Sequence, residues 1–407
     1  MNNLVQLNTI GTRTDLTTGR DFRRPDLFVG RLHLTDFRSY HRVTLTPEAR
    51  SVVLTGPNGA GKTNILEALS FLAPGRGLRG CKLSDPSRLT DDRHAGRWAV
   101  AARLETPDGT TDLGTGLVAG ADGDSLDREA RDRRIIRVDG ENGASPAHFS
   151  DILQVAWLTP QMDRLFIEAT SGRRRFLDRI VGNFHSAHAR EVNAYERVMR
   201  DRNRLLSEGS RDPAWLTALE SRMAEHGVAV AAARLDALDR LSQAIGAATS
   251  SFPQATLAVD GGLEQGLMRG PAVEVEDEFR RVLRENRGLD ARSGRAMAGP
   301  HRTDLLVTHQ EKNMPAALCS TGEQKALLIG ITLASARITA TAFGAAPVLL
   351  LDEVVAHLDQ ARRAALFDEL AALGAQVWLT GTDRVLFEDL GSRARYYRVD
   401  NSIVSEE

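Results

Sequence analysis

The sequence predicts an α/β protein in which two strand-and-helix halves enclose a long helical insertion. Three observations carry this. A Gly-rich loop lies between the apolar run Val52-Val53-Leu54 and a helical pattern from Lys62 to Leu72. The last hundred residues read strand then helix twice, through Val348–Leu351 and Gln376–Leu379. Between Gly172 and about Ile245, Ala, Leu, Arg and Glu recur at helical spacing.

Taken in order, residues 1–26 are polar, mixed in charge and without the apolar middle of a secretory signal, so they read as a flexible extension. From Leu27 to Leu45 the chain alternates through Phe28, Gly30, Leu32 and Leu34, then Val43 and Leu45, as two strands and a turn. Between Trp98 and Val138, alternating segments broken by Pro107-Asp108-Gly109 and Gly120-Ala121-Asp122-Gly123 predict a small antiparallel sheet. Val155–Leu158 is a further short strand. Asp212-Pro213 divides the helical stretch into a pair of about 30–40 residues each, reaching about 45–60 Å. The Gly-rich segment from Asp260 to Pro271 reads as a loop. These signals divide the chain into an extension (1–26), an N-terminal half (27–171), a helical arm (172–295) and a C-terminal half (296–407).

Composition narrows the classes. Of 407 residues, 42% are hydrophobic and 26% charged, enough to build a real core. With 52 basic and 54 acidic residues the net charge is −2, which excludes nucleic-acid binding by bulk charge and leaves only a local patch. Two cysteines, Cys81 and Cys319, make a disulfide framework or cysteine zinc site untenable and fit a reducing cytoplasm. The most apolar stretch, Ala326 to Leu351, is interrupted by Arg337, so no membrane span is expected.

The strongest chemical signal is Gly56-Pro57-Asn58-Gly59-Ala60-Gly61-Lys62-Thr63, which fits G-x-x-x-x-G-K-[ST] between a strand and a helix. Glycines let backbone N–H groups turn towards phosphate oxygens, and the following helix adds its positive end. Lys62 supplies a point charge for the β and γ phosphates, and the Thr63 hydroxyl is a magnesium ligand. Val348-Leu349-Leu350-Leu351-Asp352-Glu353 is an apolar strand ending in two acids; Asp352 would hold Mg²⁺, directly or through water, and Glu353 would orient and deprotonate the attacking water. Ahead of it, Cys319-Ser320-Thr321-Gly322-Glu323-Gln324-Lys325 opens a long helix. Ser320 and Gly322 could face an anion there, or Ser320 or Thr321 could simply be an N-cap.

In this order, the phosphate loop, the Ser-Thr-Gly-Glu-Gln-Lys block and the Leu-Leu-Leu-Asp-Glu strand resemble an ABC-type ATPase head, a mixed sheet plus an antiparallel β subdomain, here with an inserted helical arm. The opening Leu-His-Leu-Thr-Asp-Phe-Arg-Ser-Tyr is similar to SMC-like DNA-repair ATPases. Asn58 to Ala68, Ser171-Gly172-Arg173-Arg174-Arg175-Phe176-Leu177-Asp178 and Gly299-Pro300-His301-Arg302-Thr303-Asp304-Leu305 narrow the resemblance to the RecF family of bacterial gap-repair ATPases, over nearly everything from Leu27 to Asp383. That resemblance implies ATP and Mg²⁺ as ligands, a Q-loop role for Gln161 in sensing magnesium and γ-phosphate, and a D-loop role for Asp359. It implies that Ser320 and Gly322 close over ATP bound to a second copy, hence an ATP-dependent homodimer. It further implies binding of duplex and gapped DNA, with RecR and RecO as partners and RecA indirectly. Two departures stand out: Cys319-Ser320-Thr321-Gly322 replaces the family's Leu-Ser-Gly-Gly, and Thr382 stands where many ABC ATPases have a switch histidine, which implies slow hydrolysis.

From Gly172 to Arg204 nine arginines face four acids, a local excess of five positive charges. Arg173, Arg174, Arg175 and Arg179 are the candidate DNA contacts; a solvated helical face with pairs such as Glu196 and Arg200 is the plain alternative. Aromatics are sparse there, which favours backbone contact over base reading. Two other functions remain open at this stage. A transporter's nucleotide-binding subunit would want a membrane-coupling surface, and an ATPase paired with a nuclease would want an appended acidic metal cluster.

Overall fold

Strand alternation is carried through to packing in the N-terminal sheet. Along Trp98–Thr106, Trp98, Val100, Ala102 and Leu104 point inward while the intervening residues face solvent. A computed structural model describes residues 13–14, 21–22, 25–90, 93–94, 96–117, 134–143, 145–209 and 212–407. Most of the 1–26 extension and the turn expected at 120–123 therefore lie outside the described residues.

The chain forms two compact units: Met1–Leu66, Leu83–Glu141 and Ala345–Glu407 make the first, and Glu67–Lys82 with Asn142–Gly344 makes the second. This division differs from the boundaries drawn from sequence at 171/172 and 295/296. The helix Thr321–Phe343, assigned to a C-terminal half, packs against the long arm helix Pro213–Ala247 and belongs with it.

In the first unit an antiparallel sheet runs in the order Arg134–Val138, Gly109–Leu117, Trp98–Thr106, Phe28–Phe37, Tyr40–Leu45. The strands Trp98–Thr106 and Gly109–Leu117 are joined at Pro107-Asp108, with Thr106 opposite Gly109. A second sheet runs Val348–Leu351, Val377–Gly381, Ser51–Thr55, Ala394–Asp400, Ile403–Glu406, parallel except for its last pair. Val348–Leu351 is apolar and buried throughout, and Val52–Leu54 and Val377–Leu379 are buried apolar runs, as strands covered on both faces require. The buried Gln376 amide ties the sheets together, accepting from the Val29 N–H (2.9 Å) and donating to the carbonyls of Val29 (3.2 Å), Glu48 (3.2 Å) and Arg50 (3.1 Å).

The second unit is mainly helical. The 35-residue helix Pro213–Ala247 is capped by Asp212, whose carboxylate accepts from the N–H groups of Ala214 (3.0 Å) and Trp215 (3.2 Å), with Pro213 at its first position. Its inner face meets Tyr195, Val198, Phe279 and Leu283 through Met223, Ala224, Val228 and Ala231. The expected helix pair is corrected: its first member is two helices, Thr170–Gly182 and His188–Ser207, broken at Gly182-Asn183. The loop expected between Asp260 and Pro271 contains a short helix, Gly262–Leu267, because buried Glu264 there binds Arg234 and Thr303, and tertiary contacts override the low helix propensity of its glycines. Thr321–Phe343 has the length and composition of a membrane-crossing helix, but Ala326 to Ile329, Ile331 and Leu333 to Ala336 are buried within the unit.

Candidate active site

The phosphate loop is built by backbone geometry that only glycine supplies. Gly56 has φ 139°, and a Cβ there would lie 2.0 Å from the Val399 carbonyl oxygen. Gly61 has φ 115°, and a Cβ would meet the Tyr40 hydroxyl at 2.7 Å. The loop thus hugs the sheet, and Lys62 opens the helix Lys62–Ser70 directly after it. Asn58 and Gly59 are exposed at the loop crown, Ala60 is buried, and the Ala60 carbonyl accepts from the Ser402 N–H at 3.0 Å.

Lys62 is 5% exposed, and its ammonium donates to the carbonyls of Gly56 (2.7 Å) and Pro57 (2.8 Å). Burial lowers its pKa, against the raising influence of the Glu353 and Asp352 charges. The cation is folded back into its own loop, on neutral acceptors that a phosphate oxygen can replace.

Across the sheet, Asp352 follows the strand Val348–Leu351 and lies next to Thr63. The Thr63 hydroxyl is 2.9 Å from Asp352 Oδ1 and 3.1 Å from Oδ2. Two motifs 289 residues apart in sequence therefore meet at one point. The donor set of a hydroxyl and a buried carboxylate is hard oxygen, few in number, and suits a magnesium ion that keeps water and phosphate as its other ligands. Glu353 is half-buried, and its backbone is left-handed at φ 52° and ψ 21°, a conformation costing a non-glycine residue about 1 kcal/mol or more.

Two supports were not singled out from sequence. Tyr40 and Ser39, in the opening Phe-Arg-Ser-Tyr segment, brace the loop. The Tyr40 hydroxyl donates to the Gly61 carbonyl (3.1 Å) and Ser39 accepts from the Asn64 side chain (3.1 Å). Thr380, on the strand between those of Asp352 and the phosphate loop, donates to Asp352 Oδ1 at 2.7 Å. The first had a signal, a tyrosine in a segment already marked by resemblance; the second depends on strand register and had none.

The second unit carries Gln161, Ser320 and Gly322. Gln161 is exposed in the 3₁₀ turn Pro160–Arg164 after the buried strand Val155–Leu158. Ser320 is the N-cap of Thr321–Phe343 in a full capping box: its hydroxyl accepts from the Glu323 N–H (3.4 Å), and its own N–H donates to Glu323 Oε2 (3.0 Å). Lys312 pairs with Glu323, and these contacts hold the Glu323 carboxyl down at about 2, Lys312 being the largest cause. Gly322 sits in the exposed first turn. In the first unit, Asp359 caps Gln360–Leu373, accepting from the Arg362 N–H at 2.8 Å, and Thr382 is exposed.

The four candidate DNA arginines sit in different surroundings. Arg173 forks onto Asp304 at 2.7 and 2.8 Å and also donates to the Glu168 carbonyl at 2.6 Å. Arg174 donates to the Thr303 carbonyl at 3.0 Å. Arg179 lies over the Trp157 ring at 4.3 Å from its centroid, donates to the Trp157 carbonyl, and is lowered in pKa by burial. Arg175 alone of the four is exposed. The reason is chemical: a guanidinium has five donors and a flat apolar face, so it serves as well inside a fold as on it. These bonds join Ser171–Asp178 to Gly299–Leu305, which gives both motifs a structural purpose. The other exposed arginines of this region lie on His188–Ser207, at Arg190, Arg197, Arg200 and Arg204.

Residues 28–405 match the family described as the RecF/RecN/SMC N terminal domain. The chain is 49% identical over 375 residues to the DNA replication and repair protein RecF of Agrobacterium fabrum, covering 92% of this chain and 97% of that protein. It is 47% identical over 381 residues to the RecF of Brucella abortus, covering 93% and 96%. Among solved structures, one described as the recombination mediator protein RecF-ATP in the RecFOR pathway superposes with a TM-score of 0.78 at 20% identity, covering 95% of this chain and 98% of that one. An Smc head domain with an extended coiled coil from Pyrococcus furiosus superposes with a TM-score of 0.52 at 16% identity, covering 94% and 96%. The fold is that of an ABC-type ATPase head with a helical insertion.

Proposed function

The chain belongs to the RecF family of DNA replication and repair proteins, and from that premise we propose that it is an ATP-switched DNA-binding protein of gap repair. ATP would lie with its β and γ phosphates in the Gly56–Thr63 loop, Lys62 leaving the Gly56 and Pro57 carbonyls to meet them. Thr63 and Asp352 would hold Mg²⁺, which neutralises charge on the phosphate oxygens. Glu353 accepts a proton from the attacking water, with Gln161 sensing the γ-phosphate. Hydrolysis is slow, because a threonine at position 382 cannot supply the imidazole that many such heads place there. Ser320 and Gly322 of one copy would close over ATP held by another, so that ATP drives homodimerisation and hydrolysis releases it. The dimer acts in the cytoplasm on duplex DNA near single-strand gaps, with RecR and RecO as partners in helping to load RecA. Among the described residues no acidic metal cluster of the kind a paired nuclease would want is present.

The observation that carries this reading is the Thr63–Asp352 contact at 2.9 Å, which joins the phosphate loop to the acidic strand end in one site. Solution mass with and without ATP tests the switch. The wild type should double in mass with ATP, and Ser320→Arg should bind ATP yet stay monomeric, because a cation of that size fills the space of the incoming γ-phosphate. A Ser320→Arg variant that dimerises in ATP like the wild type would reduce Ser320 to the helix cap it already is.

A further inference from the structure

One hydroxyl inside the first unit touches both acids of the candidate site. Thr380 is 1% exposed, on the strand Val377–Gly381. That strand runs parallel between the strand of Asp352 and the strand leading into the phosphate loop, with Leu351 paired to Leu379 and Thr380 paired to Leu54. The register thus sets Thr380 beside Asp352, one residue beyond the Leu351 pair. Its hydroxyl donates to Asp352 Oδ1 at 2.7 Å and accepts from the Glu353 N–H at 2.9 Å.

A threonine hydroxyl has one proton, so these two bonds fix its direction. The proton goes to Asp352, which must be an acceptor there, and the lone pair takes the Glu353 N–H. Asp352 Oδ1 also lies 2.9 Å from the Thr63 hydroxyl. The two hydroxyls hold the carboxylate in one orientation, and the bond to Glu353 anchors a residue whose left-handed backbone, φ 52°, is otherwise disfavoured.

We propose that Thr380 is the positioning residue of the hydrolytic site: one buried hydroxyl that sets the Asp352 carboxylate towards the cation and the Glu353 backbone towards the attacking water. This rests on the ATPase reading above and deepens it. Removing the hydroxyl should act on chemistry and on the metal, and little on the grip of the phosphate loop, which Lys62 and the loop N–H groups provide. Partners of metal ligands typically change metal affinity or activity by about 10–100-fold.

The test compares Thr380→Val, which keeps the shape and removes both hydrogen bonds, with Thr380→Ser, which keeps the hydroxyl. For Thr380→Val the expected result is a kcat about 10–100-fold lower with KM for ATP within about threefold of wild type. Independently of turnover, the Mg²⁺ concentration needed for half-maximal binding of a fluorescent non-hydrolysable ATP analogue should rise about tenfold. Thr380→Ser should recover both to within about threefold of wild type. Melting without nucleotide is recorded for each variant, and Thr380→Ala, which makes a void without a clash, replaces the valine variant if that one does not fold. A folded Val or Ala variant with wild-type kcat and Mg²⁺ dependence overturns the proposal, as does a serine variant as impaired as the valine one. Wild-type protein that binds no ATP analogue with Mg²⁺ sinks instead the ATPase reading on which the proposal stands.

Discussion

Two buried polar networks, one in each unit, use charge in opposite ways. In the second unit the Arg202 side chain is fully buried and closes on Glu220 (3.1 Å), Asp290 (2.7 Å) and the Leu283 carbonyl (2.6 Å). Arg287 completes Glu220 at 2.6 Å, and the Met297 N–H completes Asp290 at 3.0 Å. In the first unit Lys62 is also buried, yet its ammonium bonds only to the neutral carbonyls of Gly56 and Pro57 among the described residues. Asp352 meets the hydroxyls of Thr63 and Thr380. A charge matched by opposite charge inside the fold is scaffolding. A charge resting on neutral groups within its own loop is held ready for a ligand that brings the missing sign.

The largest effect expected from this contrast is on stability. Arg202→Ala leaves Glu220 and Asp290 buried without their shared cation, and breaking a buried pair in this way costs about 3–5 kcal/mol. Denaturant unfolding should show that loss while ATP binding by the folded fraction stays at the wild-type affinity. A wild-type midpoint for Arg202→Ala would erase the distinction between the networks. Next in size is Glu353→Gln, whose amide cannot accept a proton: turnover should fall about 10²–10⁴-fold with ATP binding kept. Steady-state turnover within a factor of two of wild type rejects Glu353 as the base.

Lys62→Ala probes the other side of the contrast. ATP affinity should fall about 100-fold, equivalent to about 2.7 kcal/mol. Stability without nucleotide should change by less than about 1 kcal/mol, since a desolvated ammonium on neutral acceptors contributes little to the apo fold. Calorimetric titration and thermal melting of the same sample check both halves. Unchanged ATP affinity removes the phosphate-loop assignment.

How much of this was legible in the sequence follows from the range of the interactions. The phosphate loop is a local backbone shape, so Gly56, Gly61 and Lys62 announced it. Asp352 was legible because an apolar strand ending in acids is a contiguous pattern, and the structure brings it to Thr63. Thr380 was not, because only the pairing of Leu351 with Leu379 places it there, and register is a tertiary fact. Sequence reports charge and not exposure, so the arginine run reads as surface; the partners that draw Arg173 inward and bury Arg202 lie 131 and 88 residues away, at Asp304 and Asp290. Gly262–Leu267 reads as a loop for the same reason, as the bonds of Glu264 with Arg234 and Thr303 are long-range.

The smallest expected effects are on DNA, and they divide the arginines by the same rule. Arg175, Arg197 and Arg302 are exposed, and none has a carboxylate within ion-pair distance among the described residues. Arg190, Arg200 and Arg204 are exposed but lie near Glu191 (3.5 Å), Glu196 (3.9 Å) and Asp201 (3.6 Å). An exposed pair is worth about 0–1 kcal/mol, so it weakens a bond to phosphate without preventing one. If these surfaces meet duplex DNA, replacing Arg175, Arg197 and Arg302 together by Ala should lower the log–log salt slope by up to about 2.7, at about 0.9 for each phosphate no longer neutralised. The same replacement at Arg190, Arg200 and Arg204 should lower it less, and both should weaken different duplex sequences equally. Arg173→Ala should do the reverse, losing stability through its broken Asp304 pair while the slope of the folded protein stays put. Binding measured against salt concentration, with melting alongside, separates the three variants. A stable Arg173→Ala protein without DNA affinity would show that the half-buried fork opens to take phosphate, and matched charge could then no longer be read as scaffolding in this molecule.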